Sequence, residues 1–141
     1  MVVRSGEVEI LGLMYRIRRT KYLAFHYEGD RLVAIVGLKR PCKSYKGKVF
    51  SKAGVPEGAD NYGLEIGWAF TEPEYRRRGI CSNLIDAILG KSKSQNLFAT
   101  TRANNIPMQR NLEKKGFKKI GNLYLGRTSD YSLQLYVYTP Q

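Results

Sequence analysis

Apolar and polar residues alternate through the middle of the chain. Leu64, Ile66, Trp68 and Phe70 fall on one side of a strand, with short or charged residues between them. Thr71-Glu72-Pro73-Glu74 breaks that period, because proline cannot donate to a ladder. Cys81, Leu84, Ile85 and Ile88 then recur at the spacing of one helix face, which predicts a helix over 79–92.

The same reading orders the rest. Val8, Ile10, Leu11, Met14 and Ile17 predict a helix over residues 7–18, with Ser5 as a cap, Glu7 and Glu9 in the first turn and arginines in the last. Tyr22–Tyr27 and Arg31–Leu38 flank Glu28-Gly29-Asp30 as a hairpin, which places the single histidine, His26, on a strand in a structural role. Residues 39–61 have no clear period and read as a long basic loop, in which Tyr45–Phe50 could extend a strand. Leu97–Thr101 is a strand, and Asn104 or Asn105 caps a helix that stops at Gly116. Phe117–Leu125 and Tyr131–Tyr138 close the chain as a strand pair. The order is helix, three strands, helix, strand, helix, two strands, with no internal repeat and no linker.

Composition narrows the classes. A chain of 141 residues is most simply one domain, 1–141, with a real core. No apolar run is long enough to span a bilayer and no signal-like segment opens the chain, so no membrane partner is expected. Cys42 and Cys81 suggest no disulfide framework, and a cytoplasmic location is the default. One histidine argues against a His-rich metal site or a Ser-His-Asp triad, and no metal is expected. The net charge of +12 predicts attraction to anions: nucleic acid, phosphorylated ligands or acidic surfaces.

The strand over 64–70 runs through Arg76-Arg77-Arg78-Gly79 into a helix N-terminus. The first helical amides have no intrahelical partner and the dipole adds positive potential, so this junction is suited to an anion. The small residue Gly79 lets phosphate oxygens approach the amides of residues 77–82, and the arginines add charge-assisted donors. Cys81 reads as a small packing residue, although a thiolate would be favoured there.

Arg76-x-x-Gly79-x-Cys81 resembles the acetyl-CoA signature of the GNAT (Gcn5-related) N-acetyltransferases, with Cys81 where that family has Gly or Ala. Asn105 followed by Leu112-Glu113-Lys114-Lys115-Gly116-Phe117 is similar to the family's second, Asn-led helix ending in Gly-Phe. The resemblance implies an α/β fold: a mixed sheet of about six strands, splayed at the cofactor strand and flanked by helices. It implies acetyl-CoA as cosubstrate. The phosphates would lie over Arg76, Arg77, Arg78, Gly79, Ile80, Cys81 and Ser82, and the pantetheine arm would lie along the backbone of Ala69, Phe70 and Thr71. Asn105 would bond the pantetheine or cap its own helix.

The implied reaction is direct transfer of an acetyl group to a primary amine. An ammonium must lose a proton before it attacks, and a carboxylate in the cleft can take it. Glu65 stands eleven residues before Arg76, a spacing similar to that of the catalytic glutamate in the histone-acetylating branch of the family, and is expected to be partly buried with a raised pKa. The alternative for Glu65 is a cross-strand salt bridge to the Arg31–Leu38 strand. The family's usual general acid, a tyrosine in the second motif, is missing, since Asn111 and Leu112 occupy those positions. Tyr124, Tyr131, Tyr136 and Tyr138 on the last strands could replace it, and Tyr124 is carried forward. Two other readings stay open. One is a nucleic-acid- or ribosome-directed protein, including one that acetylates an aminoacyl-tRNA or ribosomal protein, which the charge and interleaved tyrosines favour. The other is a catalytically silent acyl-CoA-binding relative. The acceptor is undefined, and both monomer and homodimer are compatible.

Overall fold

The computed structural model describes residues 20–140. The predicted helix over 7–18 lies outside the described residues. The elements in order are β1 (Thr20–Glu28), β2 (Arg31–Lys39), α1 (Lys43–Lys52), a 3-10 turn (Pro56–Asn61) and β3 (Leu64–Thr71). A second 3-10 turn (Pro73–Tyr75), α2 (Ile80–Ser92), β4 (Leu97–Arg102), α3 (Ile106–Lys114), β5 (Lys118–Leu125) and β6 (Ser132–Tyr138) follow.

The six strands form one mixed sheet in the order β1-β2-β3-β4-β6-β5. β1 and β2 make the antiparallel hairpin expected from sequence, turning through Gly29 at φ 60°. β3 pairs with β4 in parallel through Leu64↔Leu97 and Glu65↔Phe98. β6 runs antiparallel to both β4 and β5. The chain divides into two compact units: one holds β1, β2, Ile66–Thr71 of β3, and α2; the other holds α1, the start of β3, β4, α3, β5 and β6.

In the first unit, Val33, Ala34, Ile35, Val36 and Leu38 are all buried, as befits an interior strand covered on both faces. α2 buries Ile80, Leu84, Ile85 and Ile88. The periodicity placed Cys81 on that face, but Cys81 is only half-buried and Ile80 takes the core position. The two are adjacent, one step of 100° apart, so either fits a broad apolar stripe, and the larger apolar side chain gains more from burial.

The second unit overturns the reading of residues 39–61. Lys43–Lys52 is an α-helix rather than a loop or strand, and Pro56–Asn61 is a 3-10 turn. Its buried residues Val49 and Phe50, with Ala53 just past its end, join Phe98, Leu135 and Val137 in one core cluster. The Phe50 ring lies edge-on to Phe98 at 5.3 Å and stacks on Tyr62 at 5.9 Å. Lysines, serines and Gly47 fill the other faces, so no amphipathic period stands out, and the helix is held by what it buries rather than by propensity. Its C-terminal end docks on β5, where the Asn122 amide donates to the Ala53 carbonyl at 2.8 Å. Gly121 permits this approach: its φ is 71°, and a Cβ there would strike the Ala53 carbonyl oxygen.

Candidate functional site

The basic turn of the first unit is built by short local bonds. The Tyr75 and Arg76 amides donate to the carbonyls of Glu72 and Pro73 at 2.9 and 3.3 Å, which curls the chain after Pro73. Arg76 Nε donates to the Thr71 carbonyl at 2.9 Å, so Arg76 closes the turn onto the end of β3. Arg78 lies over the Tyr75 ring at 5.0 Å, and Arg31 of β2 approaches the same ring at 6.0 Å while pairing with Glu74 at 2.9 Å and Glu72 at 3.6 Å. Arg77 is exposed in the left-handed region at φ 65°, a conformation costly for a residue with a Cβ.

Gly79 caps α2 at φ 76°, and a Cβ built on it would meet nothing within 4 Å. Glycine is therefore needed here for its backbone angle, and the space beside it is open. Three exposed arginines, an open αL glycine and the N-terminus of a 13-residue helix form a setting suited to a polyanion, through backbone and side chain together. Ile80 sits in the core, so only its backbone is available to such a ligand, while Cys81 and Ser82 are half-buried beside it.

On β3, Ala69 is exposed, and Phe70 and Thr71 are half-buried. Trp68, just before them, has φ 57°, which bends the strand at this point. The alternation of residues 64–70 gave no sign of that bend. Lys39 lies over the Trp68 ring at 5.4 Å.

The second unit holds the candidate base and acid. Glu65 is 2% exposed, more deeply buried than the expected partial burial. The partner in hydrogen-bond contact is Tyr45 of α1, whose hydroxyl donates to Glu65 Oε2 at 2.8 Å. Tyr45 is 39% exposed as a whole residue, yet its hydroxyl reaches this buried carboxylate. Burial first, and then the Glu65 carboxylate, push the Tyr45 hydroxyl well above the ordinary tyrosine range. Sequence reasoning missed Tyr45 because it lay in a stretch read as loop. The available signal was Tyr45, Val49, Phe50 and Ala53, at i, i+4, i+5 and i+8, which share one helix face.

The four candidate tyrosines separate clearly. Tyr124 is half-buried, and its hydroxyl is enclosed with no hydrogen-bond partner among the described residues. Burial, then the Glu65 charge, then Tyr131 raise its ionisation above the ordinary range. Tyr136 is fully buried, and burial followed by Glu113, not Glu65, raises its ionisation. Tyr131 lies beneath the Arg102 guanidinium at 4.1 Å and accepts the Arg127 amide at 3.4 Å. Tyr138 packs on Phe117 at 5.1 Å. Tyr124 is thus the one that shares an electrostatic environment with Glu65.

Asn105 caps α3, its Oδ1 accepting the Met108 amide at 3.3 Å. Leu112, at the position where a tyrosine was expected, is 1% exposed and belongs to the core. His26 is half-buried on β1, with Nε2 3.3 Å from Glu28 Oε1. Among the described residues no group of three or more His, Cys, Asp or Glu is placed to hold a metal, and no helix is long and apolar enough to cross a membrane.

The model of the acetyltransferase (GNAT) family matches residues 6–117, most of the chain, and the chain belongs to that family. Solved structures agree at the level of the fold. A GNAT-family acetyltransferase from Streptococcus agalactiae superposes with a TM-score of 0.70 at 16% identity, covering 97% of this chain and 75% of that one. A GNAT-family acetyltransferase from Elizabethkingia anophelis, solved with acetyl-CoA bound, gives 0.67 at 12% identity over 94% and 84%. Arabidopsis thaliana NAA60, in complex with a bisubstrate analogue, gives 0.56 at 22% identity over 78% of this chain and 66% of its own, so the chain spans less than two thirds of that protein. No curated protein matches the chain.

Proposed function

We propose that residues 1–141 are one acetyltransferase domain that uses acetyl-CoA to acetylate a primary amine by direct transfer. The observation that carries this reading is Gly79, an αL helix cap with open space beside it, next to three exposed arginines. Arg76, Arg77, Arg78 and the amides of Gly79, Ile80, Cys81 and Ser82 would hold the phosphates. The backbone of Ala69, Phe70 and Thr71 would hold the pantetheine arm, with Asn105 either bonding that arm or serving only as the α3 cap. The described β3–β4 pairs, Leu64↔Leu97 and Glu65↔Phe98, lie at the start of β3. When bound, acetyl-CoA supplies an acetyl group as a reactive thioester.

Glu65 is the carboxylate that takes the proton of the acceptor ammonium, and its burial places that proton transfer out of bulk water. Tyr124 holds a proton for the departing sulfur. Its hydroxyl stays protonated at neutral pH and has no competing hydrogen bond among the described residues. A thiol of pKa about 8.5 departs tolerably unaided, so Tyr124 refines the reaction rather than enabling it.

Incubation of the purified protein and acetyl-CoA with cell extract, followed by mass spectrometry for new acetyl groups, tests the reading and names the acceptor. Calorimetry with acetyl-CoA tests the cradle: binding is expected, with a large loss on Arg78→Glu, and no binding by the native chain refutes it.

A second reading rests on the +12 charge, which exceeds what one cofactor's phosphates require. In it the acceptor is carried by RNA or an RNA-bound protein. RNA binding that falls steeply with salt and persists without acetyl-CoA supports it. Salt-insensitive or absent binding removes it.

A further inference from the structure

We infer that Tyr45 is a positioning residue for Glu65, which makes α1 part of the catalytic apparatus. The inference rests on the reading of Glu65 as the base. A carboxylate at 2% exposure has few water partners, so the protein must supply hydrogen bonds that hold it in place and favour its charged form. Tyr45 supplies one: its hydroxyl donates to Oε2 at 2.8 Å, a charge-assisted bond of good length.

Three features give this bond a role beyond packing. Tyr45 is rooted on a helix pinned by Val49, Phe50 and Ala53, so its hydroxyl is presented from a fixed base. Its hydroxyl remains a donor throughout the working pH range, because burial and the adjacent carboxylate both oppose its ionisation. Tyr45 of α1 donates to Glu65, and Tyr124 of β5 shares the electrostatic environment of the same carboxylate.

Tyr45→Phe removes the donor and keeps the ring. A hydrogen bond to a charged group is worth enough to move a carboxylate titration by about one to two pH units. Glu carboxyl carbons labelled with ¹³C report that titration by NMR without any acceptor. The Glu65 signal is assigned by its loss in Glu65→Gln. The expected result is a Glu65 midpoint shifted upward in Tyr45→Phe, with the other glutamates unmoved.

Val49→Ala is the control for a merely structural effect. It loosens the same helix but leaves the hydroxyl, and it is expected to lower thermal stability without moving the Glu65 midpoint. An unmoved midpoint in Tyr45→Phe, or an equal shift in Val49→Ala, overturns the inference. The base reading is tested separately, by the rate at which radiolabelled acetyl-CoA acetylates whole-cell extract. Undiminished transfer by Glu65→Gln sinks that reading while leaving the titration result standing.

Discussion

Phe50→Ala tests most directly whether residues 43–52 are a packed helix. The side chain is fully buried, with Phe98 edge-on at 5.3 Å and Tyr62 stacked at 5.9 Å and 13°. Truncation loses the transfer free energy of the ring and leaves a cavity lined by Val49, Leu135 and Val137, which collapse only in part. Such changes cost about 3–5 kcal/mol. The two ring pairs favour the upper part of that range, since each is worth about 0.5–1.5 kcal/mol beyond burial. Against a total stability of about 5–15 kcal/mol this is a large fraction. With a urea slope of about 2 kcal/mol per molar, the unfolding midpoint falls by roughly 2 M.

The assay is equilibrium urea unfolding followed by far-UV circular dichroism and by the fluorescence of the single tryptophan, Trp68. Coincident curves establish that the transition is two-state. An exposed loop would tolerate the same change to within about 0.5 kcal/mol. A measured loss below about 1 kcal/mol, a value cores do not show for Phe→Ala, refutes the packing of α1.

The remaining predictions are shorter. Gly79→Ala should destabilise the fold by about 1–2 kcal/mol, from the αL backbone, and should weaken acetyl-CoA binding in calorimetry. A stability loss with unchanged affinity removes Gly79 from the cradle. Leu112→Tyr restores the family's residue type but overfills a 1%-exposed site, so it should cost about 1–3 kcal/mol and leave acetyl transfer no faster; a faster enzyme shows that the side chain reaches the reaction. The alkaline limb of stability is set partly by Tyr45 and Tyr124. Burial and the Glu65 charge raise both ionisations in the folded state, so above a pH of about 10 the unfolded chain gives up protons that the folded chain keeps. Stability should therefore hold below that pH and fall above it, and the fall should be shallower in Tyr124→Phe. An identical alkaline limb in the variant means that Tyr124 titrates normally.

The division between what was legible in the sequence and what was not follows a physical line. The β1–β2 hairpin, β3, α2, β4, α3 and the final strand pair were readable because each repeats apolar residues at its own period, between Gly, Pro or Asn punctuation. The Gly79 junction was readable because a strand, a basic turn and a helix start are consecutive in the chain. Asn105 as a cap was readable for the same local reason. The helix over Lys43–Lys52 was not: its apolar residues are few, its polar residues are mostly lysines, and what holds it is Phe98, Leu135 and Val137, distant in sequence. Tyr45 and Glu65 stand twenty residues apart and meet through that packing.

That Tyr124 shares the environment of Glu65, while the Tyr131 and Tyr138 rings are taken up by Arg102 and Phe117, is likewise set by packing that no local pattern shows. The sequence by itself determined the local elements, the anion-suited turn and the family, because those are written in nearest neighbours and spacing. Only the tertiary structure decided how a buried carboxylate is held. The free energy that holds it comes from long-range burial, and no local pattern records it.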